Sequence, residues 1–264
     1  MRERFSGKQP LKGNMMKTVV FTDLDGTVLD EKYSFQDVKP IITQLLFLDA
    51  AVVLCSSKTR TEIEFYRRAL SISDPFISEN GGAIFVPKNY FKVAGFDRQT
   101  REYDIIELGI PYVELRKKLQ SIRDGMGCKL VGFGDMSTEE VAKDSGLSVE
   151  LAGWAKQREY GEPFRIVDCN EEQLFKTAKA EGLHVTKGDR YYHLKGKNDK
   201  GNAVMRLKEV YVKNFGQIRT IGVGNSANDL PMLDVVDAPF FREKTEPVDV
   251  PWKKILAKVV NQSF

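Results

Sequence analysis

Two aspartates separated by one residue, Asp23 and Asp25 in Phe-Thr-Asp-Leu-Asp-Gly-Thr, are the first residues whose types and spacing suggest chemistry. They close an apolar run, and the two-residue period of a strand points both side chains to the same side. Carboxylates this close repel each other unless a cation or a proton separates them. One can then act as a nucleophile or metal ligand, and the other as a proton donor. In open α/β sheets ligands bind beyond the carboxyl ends of the strands, which is where this pair would stand. A second apolar run ends in Ser56-Ser57. Far downstream, Lys200 falls in the first turn of a helix, where the dipole disfavours a cation, so a lysine kept there is expected to serve a bound anion. A fourth polar element, GNSANDLPML at 224–233, follows the apolar strand RTIGVG.

The elements that must carry these residues alternate. TVVFTDL reads as a strand broken by the turn residues DGT. AAVVLCS is apolar throughout, as in a parallel sheet covered on both faces. Between them a helix over 37–48 carries Ile41, Ile42, Leu45, Leu46 and Leu48 as its stripe. Thr59-x-x-Glu62 has the form of a capping box opening a helix to about Leu70. PFISENGGAIFVP reads as strand, Gly-Gly turn, strand. Helices over 201–212 and 228–235 flank RTIGVG. The expected fold class is α/β, with an open, mostly parallel, doubly wound core sheet and helices on both faces. Residues 16–90 and 189–264 would form that core. The stretch 91–188 is too long for a loop of a compact domain and reads as an inserted, smaller α+β cap domain. Residues 1–15 are expected to be a disordered leader, since MRERFSGKQPLKGN lacks the apolar region of a secretory signal.

At 264 residues the chain fits one or two domains of roughly 150 residues. A balance of 42% hydrophobic and 29% charged residues excludes a disordered chain. Forty basic against 37 acidic residues leave +3, too little to argue for nucleic acid. No apolar run approaches the roughly 18 residues of a membrane helix. Cys55, Cys128 and Cys169 are widely spaced and odd in number, so neither a disulfide framework nor a zinc site is expected, and a reduced, cytoplasmic protein is. The oligomeric state is not legible.

The ordered set of DxDGT, the strand ending in Ser56-Ser57, Lys200 and GNSANDLPML resembles the haloacid dehalogenase-like phosphohydrolases and spans nearly the whole chain. That resemblance implies a Mg²⁺-dependent phosphatase working through an aspartyl-phosphate. Asp23 would be the nucleophile, and Asp25 would protonate the leaving alcohol and then activate water. Asp23, the main-chain carbonyl of Asp25, Asn225 and Asp229 would hold Mg²⁺. Ser56 and the N–H of Ser57 would bind phosphate oxygens, and Lys200 would offset charge on the phosphoryl group and the nucleophile. The family usually has Asp where Asn225 stands, while Asn228 and Asp229 match. The site therefore loses one negative charge, and weaker Mg²⁺ binding with catalysis retained is expected.

SSKTR at 56–60 and ISENGG at 77–82 resemble the sugar-phosphatase branch, and the resemblance extends into the insert through GFGDMSTEEVAKDSGL and AKQREYGEPF. It implies a small phosphorylated glycoside as substrate, with mannosyl- or glucosyl-3-phosphoglycerate cleaved to glycosylglycerate and phosphate. In the insert, Ser137-x-x-Glu140 is a capping box, so N–H groups at Met136 and Ser137 are expected to receive the glycerate carboxylate. Arg158 is expected to hold a carboxylate bidentately, and Glu159 and Glu162 to accept from sugar hydroxyls. His193 and Lys195 precede Lys200 in a strand leading back to the core, where the histidine is expected to be either structural or substrate-facing, with no metal role. The alternatives are a phosphatase for sucrose phosphate, trehalose phosphate or a hexose phosphate, or a sugar-phosphate-binding regulator without turnover.

Overall fold

The computed structural model describes residues 16–93, 95–188 and 190–261. The expected leader, 1–15, lies outside them. The chain begins with β1 (Lys17–Thr22), α1 (Lys39–Phe47), β2 (Ala51–Leu54), α2 (Arg60–Ala69), β3 (Phe76–Ser78) and β4 (Ala83–Pro87). Next come β5 (Arg98–Gln99), β6 (Tyr103–Glu107), α3 (Tyr112–Met126), β7 (Lys129–Gly132), α4 (Thr138–Ser145) and α5 (Val149–Ala155). They are followed by β8 (Gly161–Asp168), α6 (Glu171–Ala180), β9 (His184–Lys187) and β10 (Tyr192–Lys195). The chain closes with α7 (Lys200–Phe215), β11 (Ile218–Gly224), α8 (Leu230–Leu233), β12 (Ala238–Phe241) and α9 (Asp249–Val260).

The parallel sheet runs β12-β11-β1-β2. Residues 19–21, 51–54 and 221–223 are buried consecutively because both faces of the sheet are covered. Val20, Val52 and Leu54 pack with Ile42, Leu45, Ile63, Trp252 and Ile255 on one side, the side of α1, α2 and α9. Val19, Phe21, Ala51 and Val53 alternate with them and meet Val204, Leu207, Tyr211, Met232 and Leu233 of α7 and α8 on the other. β12 and α9 have no counterpart in the expected elements. APFF is too short and mixed to stand out as a strand, yet Trp252 of α9 is fully buried and donates from Nε1 to the Thr27 carbonyl at 3.0 Å.

Two further four-stranded sheets are antiparallel, β3-β4-β6-β5 and β7-β8-β10-β9. The first adjoins β2 through a bridge between Cys55 and Ile77. Residues 98–107, assigned from sequence to the insert, thus pair onto the β3-β4 hairpin. Conversely, β10, assigned to the returning segment, pairs with β8 and β9 and buries Leu194 in a core with Leu115, Leu119 and Phe164. In both cases the strand goes where an edge is open and its apolar side chain is covered. Cys128 and Cys169 form a disulfide, contrary to the expectation of free thiols. They lie 41 residues apart but flank the paired ends of β7 and β8, where Lys129 faces Asp168, with their Cα atoms 4.9 Å apart. Cys55 is free and buried. No helix among the described residues is long and apolar enough to cross a membrane.

Candidate active site

Asp23 follows β1 directly, and its N–H donates to the Val223 carbonyl of β11 at 3.0 Å, so its backbone extends the sheet. Its carboxylate turns inward, 6% exposed. Lys200 Nζ lies 2.6 Å from Asp23 Oδ1 and 2.6 Å from Asp229 Oδ1, and its side chain is fully buried. Asp199 caps α7 by accepting from the N–H of Asn202, which fixes the first turn and aims the lysine across the sheet end. The sequence-based placement of a helix-start lysine against an anion is met by two carboxylates.

One ammonium cannot satisfy both. Asp229 also receives the N–H groups of Asn225 and Ser226 and the Ser226 hydroxyl on Oδ2, at 3.0, 3.0 and 2.8 Å. Burial opposes its charge, but Lys200 and these hydrogen bonds prevail and hold its carboxyl below the usual range. Asp23 lacks such donors. Burial pushes it up to about 7, with Lys200 pulling down and the charges of Asp229 and Asp25 pushing further up. The cluster is therefore short of positive charge at Asp23.

Asp25 is half-exposed and paired with a different lysine, Lys58, whose Nζ lies 3.0 Å from Asp25 Oδ1. Burial disfavours the Lys58 ammonium, but Asp25 and Glu62 outweigh it and hold its pKa above the ordinary lysine range. Lys58 belongs to the loop after β2, which also carries the fully buried Ser56 and the half-buried Ser57. The Thr59–Glu62 capping box expected from sequence is present and starts α2 just beyond them.

Oxygens at Asp23, at the Asp25 carbonyl and at Asn225 form a hard donor set that fits Mg²⁺, and the undercompensated Asp23 supplies the electrostatic reason for it to bind. Asp229, the fourth expected ligand, is engaged by Lys200 on Oδ1 and by the 225–226 turn on Oδ2. No group of three His, Cys, Asp or Glu side chains among the described residues is arranged for a metal. A cavity of about 620 Å³ opens beside Asp25, Tyr33, Asn225 and Arg242.

The insert residues sit differently from expectation. Ser137 and Glu140 do form a capping box, but the Ser137 N–H is spent on Glu140 and the Met136 N–H points to the Phe133 carbonyl at 3.4 Å. Met136 itself packs into a small core with Phe133, Val141 and Ala152. Glu162 is fully buried and accepts from Tyr112, Arg116 and the Gly134 N–H, so it cannot meet a sugar. Glu159 pairs with Arg60 at 2.9 Å and Arg98 at 3.1 Å. Arg158, read as a carboxylate receptor, already has a carboxylate. Its Nε lies 3.1 Å from Glu79 Oε2, both side chains being buried, and its Nη2 donates to the Ser57 carbonyl at 3.2 Å.

Glu79 and Asn80 are the residues that sequence reasoning missed, although SENGG was read as a turn. Glu79, Asn80 and Gly81 are left-handed in succession, at φ 49°, 56° and 85°, a strained choice for the first two. A Cβ at Gly81 would come within 2.1 Å of the Asp199 carbonyl, so the turn lies hard against the start of α7. Glu79 accepts from the N–H groups of Glu159 and Tyr160, the Asn80 N–H donates to the Ser56 carbonyl, and Asn80 Oδ1 accepts from Asn228. One turn thus joins the serine loop, the insert and the 225–229 loop.

Residues 20–108 match a family model described as haloacid dehalogenase-like hydrolase. A glucosyl-3-phosphoglycerate/mannosyl-3-phosphoglycerate phosphatase of Methanococcoides burtonii is 45% identical over 239 residues, covering 88% of this chain and 86% of the other. The mannosyl-3-phosphoglycerate phosphatase of Pyrococcus horikoshii is 38% identical over 225 residues, covering 85% of this chain and 90% of its own. A crystal structure from Thermoplasma acidophilum superposes with a TM-score of 0.62 at 19% identity, over 93% of this chain and 99% of that one, a likeness of fold.

Proposed function

The chain belongs to the haloacid dehalogenase-like hydrolase family, and on that premise we propose that it is a phosphoric monoester hydrolase acting on mannosyl- or glucosyl-3-phosphoglycerate. One observation carries the substrate class. The match to the Methanococcoides phosphatase takes in 88% of this chain, too much to leave out the insert, where a leaving group would be recognised. The α3-to-β10 region acts as a cap over the sheet end, its 154–160 segment seated on α2 through Thr59 to the Trp154 carbonyl and Arg60 to Glu159. A cytoplasmic setting is part of the reading, and the Cys128–Cys169 bond is the observation that weighs against a reducing one.

In this reading the Asp23 carboxylate attacks phosphorus, forming an O–P bond as the bond to the 3-oxygen of the glycerate breaks. Asp25 gives its proton to that oxygen. It then takes a proton from water, whose oxygen attacks phosphorus and frees Asp23 and phosphate. Lys200 holds the nucleophile in line and carries one positive charge beside the phosphoryl group, while Asp229 keeps the lysine in place. The Ser56 hydroxyl and the Ser57 N–H orient the phosphate, and Lys58 positions Asp25. Mg²⁺, held by Asp23, the Asp25 carbonyl and Asn225, would neutralise nucleophile and phosphate together.

The test is a phosphate-release screen over glycosyl-3-phosphoglycerates, sucrose phosphate, trehalose phosphate and hexose phosphates, with and without Mg²⁺. Highest kcat/KM on a glycosyl-3-phosphoglycerate, dependent on Mg²⁺, is expected. Faster release from a carboxylate-free phosphosugar would overturn the substrate assignment, and binding without release would overturn the enzyme.

A further inference from the structure

The structure holds two buried lysines with opposite surroundings. Lys200 has two carboxylates at 2.6 Å. Lys195, at the end of β10, is 9% exposed and makes one hydrogen bond, to the main-chain oxygen of Asn198. Among the described residues no carboxylate lies within 4 Å of its ammonium. Burial disfavours its ammonium and Asp199, farther off, favours it; burial prevails and holds its pKa below the ordinary lysine range, a cost that an anion in contact would offset.

Its position is defined by the strand. Leu194 is buried in the insert's own core and Tyr192 packs against that core, so the alternation of β10 turns His193 and Lys195 to the opposite face. On β8 Lys195 stands across from Gly161 and His193 across from Pro163, and on β9 they stand across from His184 and Thr186. Asn198, which anchors Lys195, donates from Nδ2 toward the Glu79 and Asn80 carbonyls at 3.5 and 3.3 Å. The Asn80 N–H in turn donates to Ser56 at 2.9 Å. The ammonium is thus tied to the turn that supports the serine loop. Nearby Arg158 is paired with Glu79, whereas Lys195 has only the longer-range attraction of Asp199 and no carboxylate in contact among the described residues. His193 adds none, since burial, with Arg158 and Lys195 beside it, pushes its pKa down to about 3.

We propose that Lys195 is the specificity-determining receptor for the carboxylate of the glycerate group, the part that sequence reasoning gave to Arg158. The proposal rests on the glycosyl-3-phosphoglycerate reading and names the residue that would distinguish such a substrate from a plain phosphosugar. On binding, the buried ammonium gains the contacting carboxylate that it lacks among the described residues.

The experiment compares the parent, Lys195→Met and Lys195→Arg in Mg²⁺, on mannosyl-3-phosphoglycerate and on p-nitrophenyl phosphate, and measures D-glycerate as a competitor of the second substrate. For Lys195→Met the ratio of kcat/KM between the two substrates should fall roughly 10- to 100-fold, mostly through KM, as for a lost hydrogen bond to a charged group. The inhibition constant of D-glycerate should rise by a similar factor, and Lys195→Arg should recover part of both. Removing an unpaired buried charge should also raise the thermal midpoint. An unchanged ratio overturns the proposal, as does an equal loss on both substrates, which would mean that Lys195 serves the phosphate. A Lys195→Met chain that does not fold marks the lysine as structural unless Lys195→Arg folds and retains glycerate competition. A parent enzyme that ignores mannosyl-3-phosphoglycerate defeats the substrate reading instead, and D-glycerate competition in the parent and variants still decides Lys195.

Discussion

At the end of β1 a single buried ammonium is shared by Asp23 and Asp229, while at the junction with the insert Arg158 takes Glu79 and Lys195 is left, among the described residues, with a carbonyl in contact and no carboxylate. The first cluster has more negative charge than its lysine can balance, and the second has more positive. Each imbalance matches what a phosphoglycerate would bring, a metal-bound phosphate to one and a carboxylate to the other. Charge left unbalanced in a buried place points to the ligand, whereas charge already balanced, as in Arg158 with Glu79, points to architecture.

The comparison breaks first at Asp23. Asp23→Asn should lower phosphate release by about 10⁴-fold or more, as for loss of a nucleophile that acts as part of a unit, with the far-UV spectrum unchanged. A rate within tenfold of the parent would remove Asp23 from that role. On the other side, Glu79→Gln leaves Arg158 buried without its counter-charge and should cost about 3 kcal/mol in urea unfolding. If the pair only fills space, the loss will stay below about 1 kcal/mol.

The smallest effects sharpen the metal site. Without metal, the Asp23 carboxyl keeps its proton up to about pH 7, against an ordinary 3.8. Mg²⁺ needs the anion and must displace that proton. The half-saturating Mg²⁺ concentration should therefore climb about tenfold per unit as pH falls below 7, and level off above it. Asn225→Asp restores a charge beside the same oxygens and should lower half-saturation roughly three- to tenfold, since ligand charge tunes affinity. An identical Mg²⁺ titration for both proteins would separate Asn225 from the metal.

The parallel sheet and the meeting of Asp23 with Lys200 at its end were legible because each lies in a contiguous motif at a strand end or helix start. The Thr59 and Ser137 caps were legible for the same reason, one hydrogen-bonded turn being entirely local. The insert's face was not. Arg158, Glu159 and Glu162 have the right chemistry for a sugar acid, but each is consumed by a partner far away in sequence, Glu79, Arg60 and Arg116. Which cation remains unpaired depends on strand register, and no spacing in the sequence encodes that. The disulfide escaped for the same reason, since only the pairing of β7 with β8 brings Cys128 to Cys169.

The hairpin tip at Glu79 and Asn80 also constrains how the protein comes into being. Its hydrogen bonds reach 80 residues forward to Glu159, 118 to Asn198 and 148 to Asn228. A chain emerging from the ribosome can assemble α1 and α2 early, yet β1 waits for β11, and the strained tip finds its last partner only when more than four-fifths of the polypeptide has been made. Contacts this distant slow folding and leave apolar strands uncovered in the interval. Truncation before Asn228 would therefore yield an aggregation-prone fragment, and helper proteins that shield nascent chains would be needed most at that stage of synthesis.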